Sequence, residues 1–298
     1  MRDIFTLENL AESLSLQKPA KLAVLGFPVA HSASPQLHQP ALDEYGIGCS
    51  YIRLQVEPGR LREAFERMQN LGFIGCNVTI PHKFEALEAC DEIDPSAAHL
   101  GAVNTVVFGE NGSRGFNTDG PGIEQAVHGA FGLMLGEIHV VILGAGGGAG
   151  QAIAAQCALS QPAKLTLVNR SLSKIMPLAK RLGKISLETK ILAINFEDSG
   201  LREACHEGDL LIQTTSLGLR ADDLPVLAAD CFLPHHCAYD TIYQPAETPF
   251  LASARAAGSR AENGLSLLIH QGALAFQLWF PGTDPLPLMR RAMAAKLG

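Results

Sequence analysis

The sequence predicts an α/β protein of two domains. Three observations carry that expectation. The chain has 298 residues, more naturally two domains than one. Apolar runs of strand length alternate with helical patterns along it. A second series of such units begins near Gly120 and is built around the glycine-rich turn Gly144-Ala145-Gly146-Gly147-Gly148-Ala149-Gly150, which predicts a doubly wound parallel sheet there.

Taken in order, residues 1–20 read as a short helical extension ending at Pro19. Lys21-Leu22-Ala23-Val24-Leu25-Gly26 is a buried-strand pattern, and a helix is expected from about Pro35 to Tyr45. Tyr51 to Val56 alternates as a strand does, and Pro58 to Leu71 is helical in period. Gly72 to Lys83 reads as strand, sharp turn and helix start, with Pro81 near the first helical position, where its missing N–H costs nothing. Val103–Phe108 is a strand, turned by Gly109-Glu110-Asn111-Gly112 into a return that ends at Asn117-Thr118-Asp119. In the second half, Ile138–Leu143, Lys164–Asn169, Thr189–Ile194, Asp209–Thr214 and Ala238–Thr241 are strand candidates with helical stretches between them. A long apolar helix is expected from Gly264 to about Phe280, and another over Pro287–Leu297.

Composition excludes several classes. A net charge of −7 argues against general nucleic-acid binding, which needs a basic face. No apolar run approaches the ~18 residues of a membrane span, and the start Met1-Arg2-Asp3-Ile4-Phe5-Thr6 does not read as a signal peptide. The seven cysteines are scattered with no Cys-x-x-Cys, which fits reduced thiols in a cytoplasmic protein better than a disulfide frame or a zinc site. His235-His236 lacks further ligands at helical spacing, so no metal is expected. The sequence leaves monomer and homodimer open.

Lys83 is the first candidate for chemistry. It is expected in the first turn of a helix at the carboxyl end of a strand, the side where ligands of open α/β sheets gather. The helix dipole disfavours a cation there, which suggests use: an ammonium donates a proton or holds a carbonyl oxygen. Ser32 and Ser34, two residues apart in Gly26-Phe27-Pro28-Val29-Ala30-His31-Ser32-Ala33-Ser34-Pro35, are candidates to hold a carboxylate without an arginine, with Ser34 as a plain helix cap the alternative. Asp119 either caps the following helix or orients Lys83, while Thr79, Asn77 and Asn104 are neutral groups suited to a polyhydroxylated ring.

Gly144-x-Gly146-x-x-Ala149 follows an apolar strand and opens a small-residue helix, the order a Rossmann-type dinucleotide site requires. Glycines let the backbone approach a pyrophosphate, and the helix N-terminus supplies N–H groups; the alternative is a plain β–α turn. An NAD site usually carries an acid at the end of the next strand. This chain has Asn169-Arg170-Ser171 there, with Lys174 nearby, and a guanidinium takes a 2′-phosphate bidentately. NADP is the expected cofactor.

Together these segments resemble the shikimate dehydrogenase family. The runs that carry the resemblance are His31-Ser32-x-Ser34-Pro35, Gly75-x-Asn77-Val78-Thr79-x-Pro81-x-Lys83, Gly101-Ala102-x-Asn104-Thr105, Gly115-x-Asn117-Thr118-Asp119, the glycine turn, Asn169-Arg170-Ser171, Asp240-x-x-Tyr243-x-Pro245 and Asn263-Gly264 through Gln271-Gly272 to Trp279. The resemblance implies reversible reduction of 3-dehydroshikimate to shikimate by NADPH, in chorismate and aromatic amino-acid biosynthesis. It implies a substrate-binding domain over 1–121 plus 265–298, with the C-terminal helices returning to it, and an NADP domain over 122–264. Lys83 and Asp119 would be the catalytic pair. Ser32, Ser34, Thr79, Lys83, Asn104, Asp119, Tyr243 and Gln271 would bind substrate. The cofactor set would be Gly144, Ala145, Gly146, Gly147, Gly148 and Ala149 in the turn, then Asn169, Arg170, Ser171, Lys174, Thr215 and Gly264. On their own, Gln271 and Tyr243 read as core or surface residues. Gln39, Gln213 to Leu219 and Leu267 depart from the family pattern, the last two along the expected nicotinamide wall, without removing a catalytic group. The rival readings are a quinate/shikimate dehydrogenase or paralogue on another cyclic hydroxy acid, and an idle metabolite sensor.

Overall fold

The computed structural model describes residues 4–220 and 222–297, with side chains to Ala295; Met1, Arg2, Asp3, Ala221 and Gly298 lie outside the described residues, so the expected extension is seen from Ile4. The chain forms two compact units, Met1–Thr118 with Ile269–Gly298, and Asp119–Leu268.

The first unit is built on a seven-stranded sheet. Its elements are β1 (Ile4–Thr6), β2 (Ala20–Gly26), α1 (Ser34–Glu44), β3 (Ser50–Gln55), α2 (Leu61–Asn70), β4 (Gly75–Val78), α3 (Glu85–Ala89), β5 (Glu92–Ile93), α4 (Pro95–Leu100), β6 (Thr105–Gly109) and β7 (Gly112–Phe116). The strand order is β1-β3-β2-β4-β6-β7-β5. β2 lies between β3 and β4, parallel to both, and Leu22, Ala23, Val24 and Leu25 are buried, as a strand covered on both faces requires. β6 pairs antiparallel with β4 and with β7, which is the expected hairpin.

Residues 4–15 differ from the expected helical extension. Ile4–Thr6 adds an edge strand beside Arg53–Gln55 of β3, and a 3₁₀ segment follows over Leu7–Ser15. Phe5, Leu7 and Leu10 are buried in the core of the first unit, so this segment covers what would otherwise be an open edge.

The second unit carries α5 (Asp119–Phe131), β8 (His139–Leu143), α6 (Gly148–Leu159), β9 (Lys164–Val168), α7 (Leu172–Leu182), β10 (Lys190–Ile194), α8 (Leu201–His206), β11 (Leu210–Gln213), β12 (Cys237–Asp240), α9 (Pro249–Ala256) and β13 (Arg260–Glu262). Its strands run β10-β9-β8-β11-β12-β13, every pair parallel. Counted within the unit this is the order 3-2-1-4-5-6 of the doubly wound dinucleotide fold. The direction of winding reverses between β8 and β11, so the ends of β8, β9 and β11 open the crevice in which such sheets bind ligands.

Two helices follow, α10 (Leu265–Trp279) and α11 (Leu286–Leu297). α11 packs on α1. At the end of α10 the Trp279 indole N–H donates to the Val106 carbonyl at 3.0 Å, and a Cβ on Gly75 would lie 2.3 Å from that indole nitrogen. Gly75 is therefore the residue that admits Trp279 against β4. No described helix is long and apolar enough to cross a membrane.

Candidate active site

In the first unit the chain leaves β2 at Gly26 and turns back at Ser32, whose N–H donates to the Val29 carbonyl at 3.1 Å. The Ser32 hydroxyl donates to Ser34 Oγ at 3.1 Å. Ser34 is the first residue of α1 and makes no capping bond, since Ala33 occupies the cap position. Both serines thus stand at a helix N-terminus with their hydroxyls together, where backbone N–H groups favour an anion.

Lys83 is not in the first turn of a helix. Ile80 to Phe84 form turns and α3 begins only at Glu85. His82 lies within these turns. Its buried ring bonds the Val56 carbonyl at 2.8 Å and Glu85 Oε2 at 3.1 Å, while its N–H donates to the Thr79 carbonyl at 2.9 Å. One tertiary bond, to Val56, and two local ones thus accompany a turn where Pro81 suggested a helix start. Lys83 is half-buried, and its carbonyl accepts the Val103 N–H at 2.9 Å, one residue before Asn104. Thr79 follows β4 directly, its N–H donating to the Leu25 carbonyl at 2.8 Å.

Around Asn104 the polar side chains interlock. Its amide oxygen accepts the Thr118 N–H at 2.7 Å, and its amide nitrogen donates to Thr118 Oγ1 at 3.0 Å and to Gln271 Oε1 at 3.4 Å. Asn77 donates to the Asn104 carbonyl at 3.2 Å and to Thr105 Oγ1 at 3.0 Å, and accepts the Tyr51 hydroxyl at 2.7 Å. Asn77, Asn104, Thr105, Thr118 and Gln271 are all buried, and every group in these bonds is neutral. Burial pushes the Tyr51 phenol well above its usual range, so it remains a donor.

In the second unit Asp119 is the first residue of α5, where the dipole favours a carboxylate. Tyr243 is half-buried beyond β12. The Gly264 N–H donates to the Ile242 carbonyl at 3.0 Å, and a Cβ at Gly264 would fall 2.2 Å from the Thr241 carbonyl oxygen, so glycine is required for that approach. Asp240, buried at the end of β12, accepts the Ile242 N–H at 2.9 Å and the Thr248 hydroxyl at 2.6 Å, and burial raises its carboxyl to about 6.

A cavity of about 1080 Å³ opens on the carboxyl ends of β8, β9 and β11. Gly144, Gly146, Gly147, Asn169, Arg170, Ser171, Lys174 and Thr215 line it. Ala145 is buried and not among the lining residues, and Gly148 and Ala149 form the first turn of α6. Gly144 has φ +89°, and a Cβ there would meet Thr215 Cγ2 at 2.6 Å; a Cβ at Gly146 would meet Asn169 Nδ2 at 2.8 Å. Asn169 accepts the Gly146 N–H at 3.3 Å and donates to the Ser171 carbonyl at 3.1 Å, which ties the glycine turn to the cationic turn after β9. Bare backbone at a helix N-terminus beside an arginine and a lysine fits a pyrophosphate and a ribose phosphate. Among the described residues no group of three His, Cys, Asp or Glu side chains could hold a metal ion.

Other residues escaped the sequence reading. Phe196 and Glu197 line the cavity from the segment after β10, which the strand order places on the same rim. Val226 and Leu227 supply apolar wall from the stretch after β11, where no pattern marks them, beside Leu217 of the segment already expected at the nicotinamide wall. Tyr51, Arg53 and His82 act through tertiary hydrogen bonds, for which neighbours in sequence give no signal.

Comparison with known proteins gives a consistent result. Residues 24–106 match the family described as the shikimate dehydrogenase substrate binding domain, and residues 264–294 match the shikimate 5'-dehydrogenase C-terminal domain. The chain is 39% identical over 279 residues to the NADP(+) shikimate dehydrogenase of Moorella thermoacetica, covering 93% of each. A crystal structure of a shikimate dehydrogenase in complex with NADP+ superposes with a TM-score of 0.85 at 32% identity, covering 93% of this chain and 95% of that one. Another, from Thermus thermophilus with NADP(H) and shikimate, gives 0.79 at 35% identity over 92% of this chain and 99% of that one.

Proposed function

We propose a reaction and its residues from one premise: the chain belongs to the shikimate dehydrogenase family. It reduces 3-dehydroshikimate reversibly to shikimate at the expense of NADPH, a step of chorismate and aromatic amino-acid biosynthesis. The observation that carries the substrate reading is the buried neutral network on Asn104, which joins Thr118 and Gln271 to a single amide. Such a network recognises ring hydroxyls by position, and a substrate lacking one leaves a buried polar group unpaired.

In this reading Ser32 and Ser34 hold the substrate carboxylate, while Thr79, Asn104, Gln271, Asp119 and Lys83 hold its hydroxyls, and Tyr243 is a further substrate residue. The cavity of the second unit would hold NADPH, which would supply a hydride for the ketone carbon. Gly144, Gly146 and Gly147 receive the pyrophosphate, and Arg170 with Lys174 receives the 2′-phosphate; Thr215 and Gly264 belong to the nicotinamide side. The Lys83 ammonium stabilises the negative charge that grows on the carbonyl oxygen and then donates its proton. In reverse, neutral Lys83 accepts the alcohol proton. Asp119 orients both the amine and the substrate. The proposed setting is the reducing cytoplasm, supported by cysteines that are all free and buried in the described chain; monomer and homodimer both fit this chemistry.

Steady-state rates with shikimate and quinate, each with NADP and NAD, test the reading. The shikimate and NADP pair should give the largest kcat/KM. Binding of shikimate without reduction of NADP would make the protein a sensor and end the proposal.

A further inference from the structure

Strand β3 presents Tyr51 and Arg53 on one face, because side chains alternate along a strand. Tyr51 reaches Asn77 of the hydroxyl-binding network. Arg53 reaches the serine turn. Its Nε and Nη2 both donate to the Ser32 carbonyl, at 2.9 and 2.7 Å, and Nη2 also donates to Gln36 Oε1 at 3.0 Å. These partners are neutral, and Arg53 is only half exposed. A partly desolvated guanidinium bonded to neutral oxygens is costly unless a negative group completes the site. The clustered hydroxyls of Ser32 and Ser34 at the start of α1 call for the same negative group.

We infer that Arg53 is a specificity-determining positioning residue that selects substrates carrying an anionic ring substituent. Its fork fixes the carbonyl of Ser32, which holds the turn with both hydroxyls together. Its charge, bonded to the backbone of that turn, adds positive potential beside the two hydroxyls. The serine turn therefore has an arginine in support, acting through the Ser32 backbone. This inference rests on the reading that Ser32 and Ser34 bind the substrate carboxylate.

The test compares shikimate with its methyl ester, which keeps the ring and hydroxyls and removes the charge. The wild-type protein, Arg53→Met and Arg53→Lys are measured for Kd by calorimetry and for KM and kcat by turnover. Arg53→Met should raise Kd and KM for shikimate on the order of tenfold, with kcat and the KM for NADP moved by no more than about twofold. The ester should change by no more than about twofold in the same variant. Arg53→Lys, which keeps the charge and loses the fork, should fall between and guards against a Met variant that folds poorly. Equal losses for acid and ester would make Arg53 merely structural, and no loss for the acid would remove it altogether; either result overturns the inference. A wild-type protein that neither binds nor oxidises shikimate would instead overturn the functional reading, and with it this one.

Discussion

In the first unit the polar side chains around Asn104 are buried and bonded to one another, whereas in the second the cations at the cavity, Arg170 and Lys174, are exposed and the turn between β8 and α6 offers bare backbone. The difference follows from what each must recognise. A polyhydroxylated ring is told from its isomers only by donors and acceptors fixed in place, and fixing them means committing each lone pair to a neighbour. A dinucleotide is recognised by its phosphates, which need approach and charge more than rigid placement. Changes in the first unit should therefore be felt in both folding and turnover. Changes at the cations of the second should be felt in cofactor binding alone.

Lys83 is the sharpest exception to build on, because it belongs to the first unit yet sits in a turn outside the hydrophobic core. Lys83→Ala should lower kcat about 10³-fold, the typical worth of a positioned general acid, and leave the thermal midpoint within a few degrees. Near-normal turnover, measured by NADPH formation with saturating shikimate, would remove Lys83 from the chemistry.

Asn104→Ala and Arg170→Ala then test the contrast directly. Asn104→Ala leaves the Thr118 N–H without the amide oxygen it donates to and removes one bond from Gln271, and should cost about 1–3 kcal/mol in urea unfolding as well as raising the KM for shikimate. Arg170→Ala should leave stability within about 0.5 kcal/mol and raise the KM for NADP on the order of tenfold while sparing that for NAD. A stable Asn104 variant, or an unstable Arg170 variant, would show that the two sites depend on their side chains for stability alike.

The local signals were the readable ones. β2 and β8 contain contiguous apolar runs, and the glycine turn and Asn169-Arg170-Ser171 carry their chemistry within a few residues. What escaped depends on distant partners. Ile4–Thr6 is too short for its alternation to register, and it becomes a strand because β3 offers an edge. Pro81 opens a turn and not a helix, with a cis bond before it and His82 bonded to distant Val56 after it. Arg53 reads as the solvent side of an alternating strand until the Ser32 carbonyl is found in front of it. The Asn104 to Gln271 bond joins residues separated by 167 positions; the resemblance to known sequences named both as substrate residues but did not give the bond.

Two buried titratable groups separate the units by pH. His38 of the first unit is stacked on Tyr51 with ring centroids 4.6 Å apart, both ring nitrogens lack a hydrogen-bond partner, and burial pushes its imidazole down to about 3. The folded state thus refuses a proton that the unfolded chain accepts near its ordinary value of 6.5, so stability is lost as pH falls below that value. Asp240 of the second unit has the opposite sign. Burial raises it to about 6 from 3.8, so the folded state takes up a proton first and stability is gained as pH falls from 7 towards 5.5. Each effect amounts to about 1 kcal/mol over that interval. Relative to wild type, His38→Leu should therefore gain about 1 kcal/mol of unfolding free energy between pH 7 and 5.5, and Asp240→Asn should lose about as much. Urea unfolding of the three proteins at both pH values measures the two differences. Shifts of the same sign would mean that one of these groups is solvated in the folded protein, and the distinction between an unpartnered imidazole in one unit and a well-bonded carboxyl in the other would fail at its most buried points.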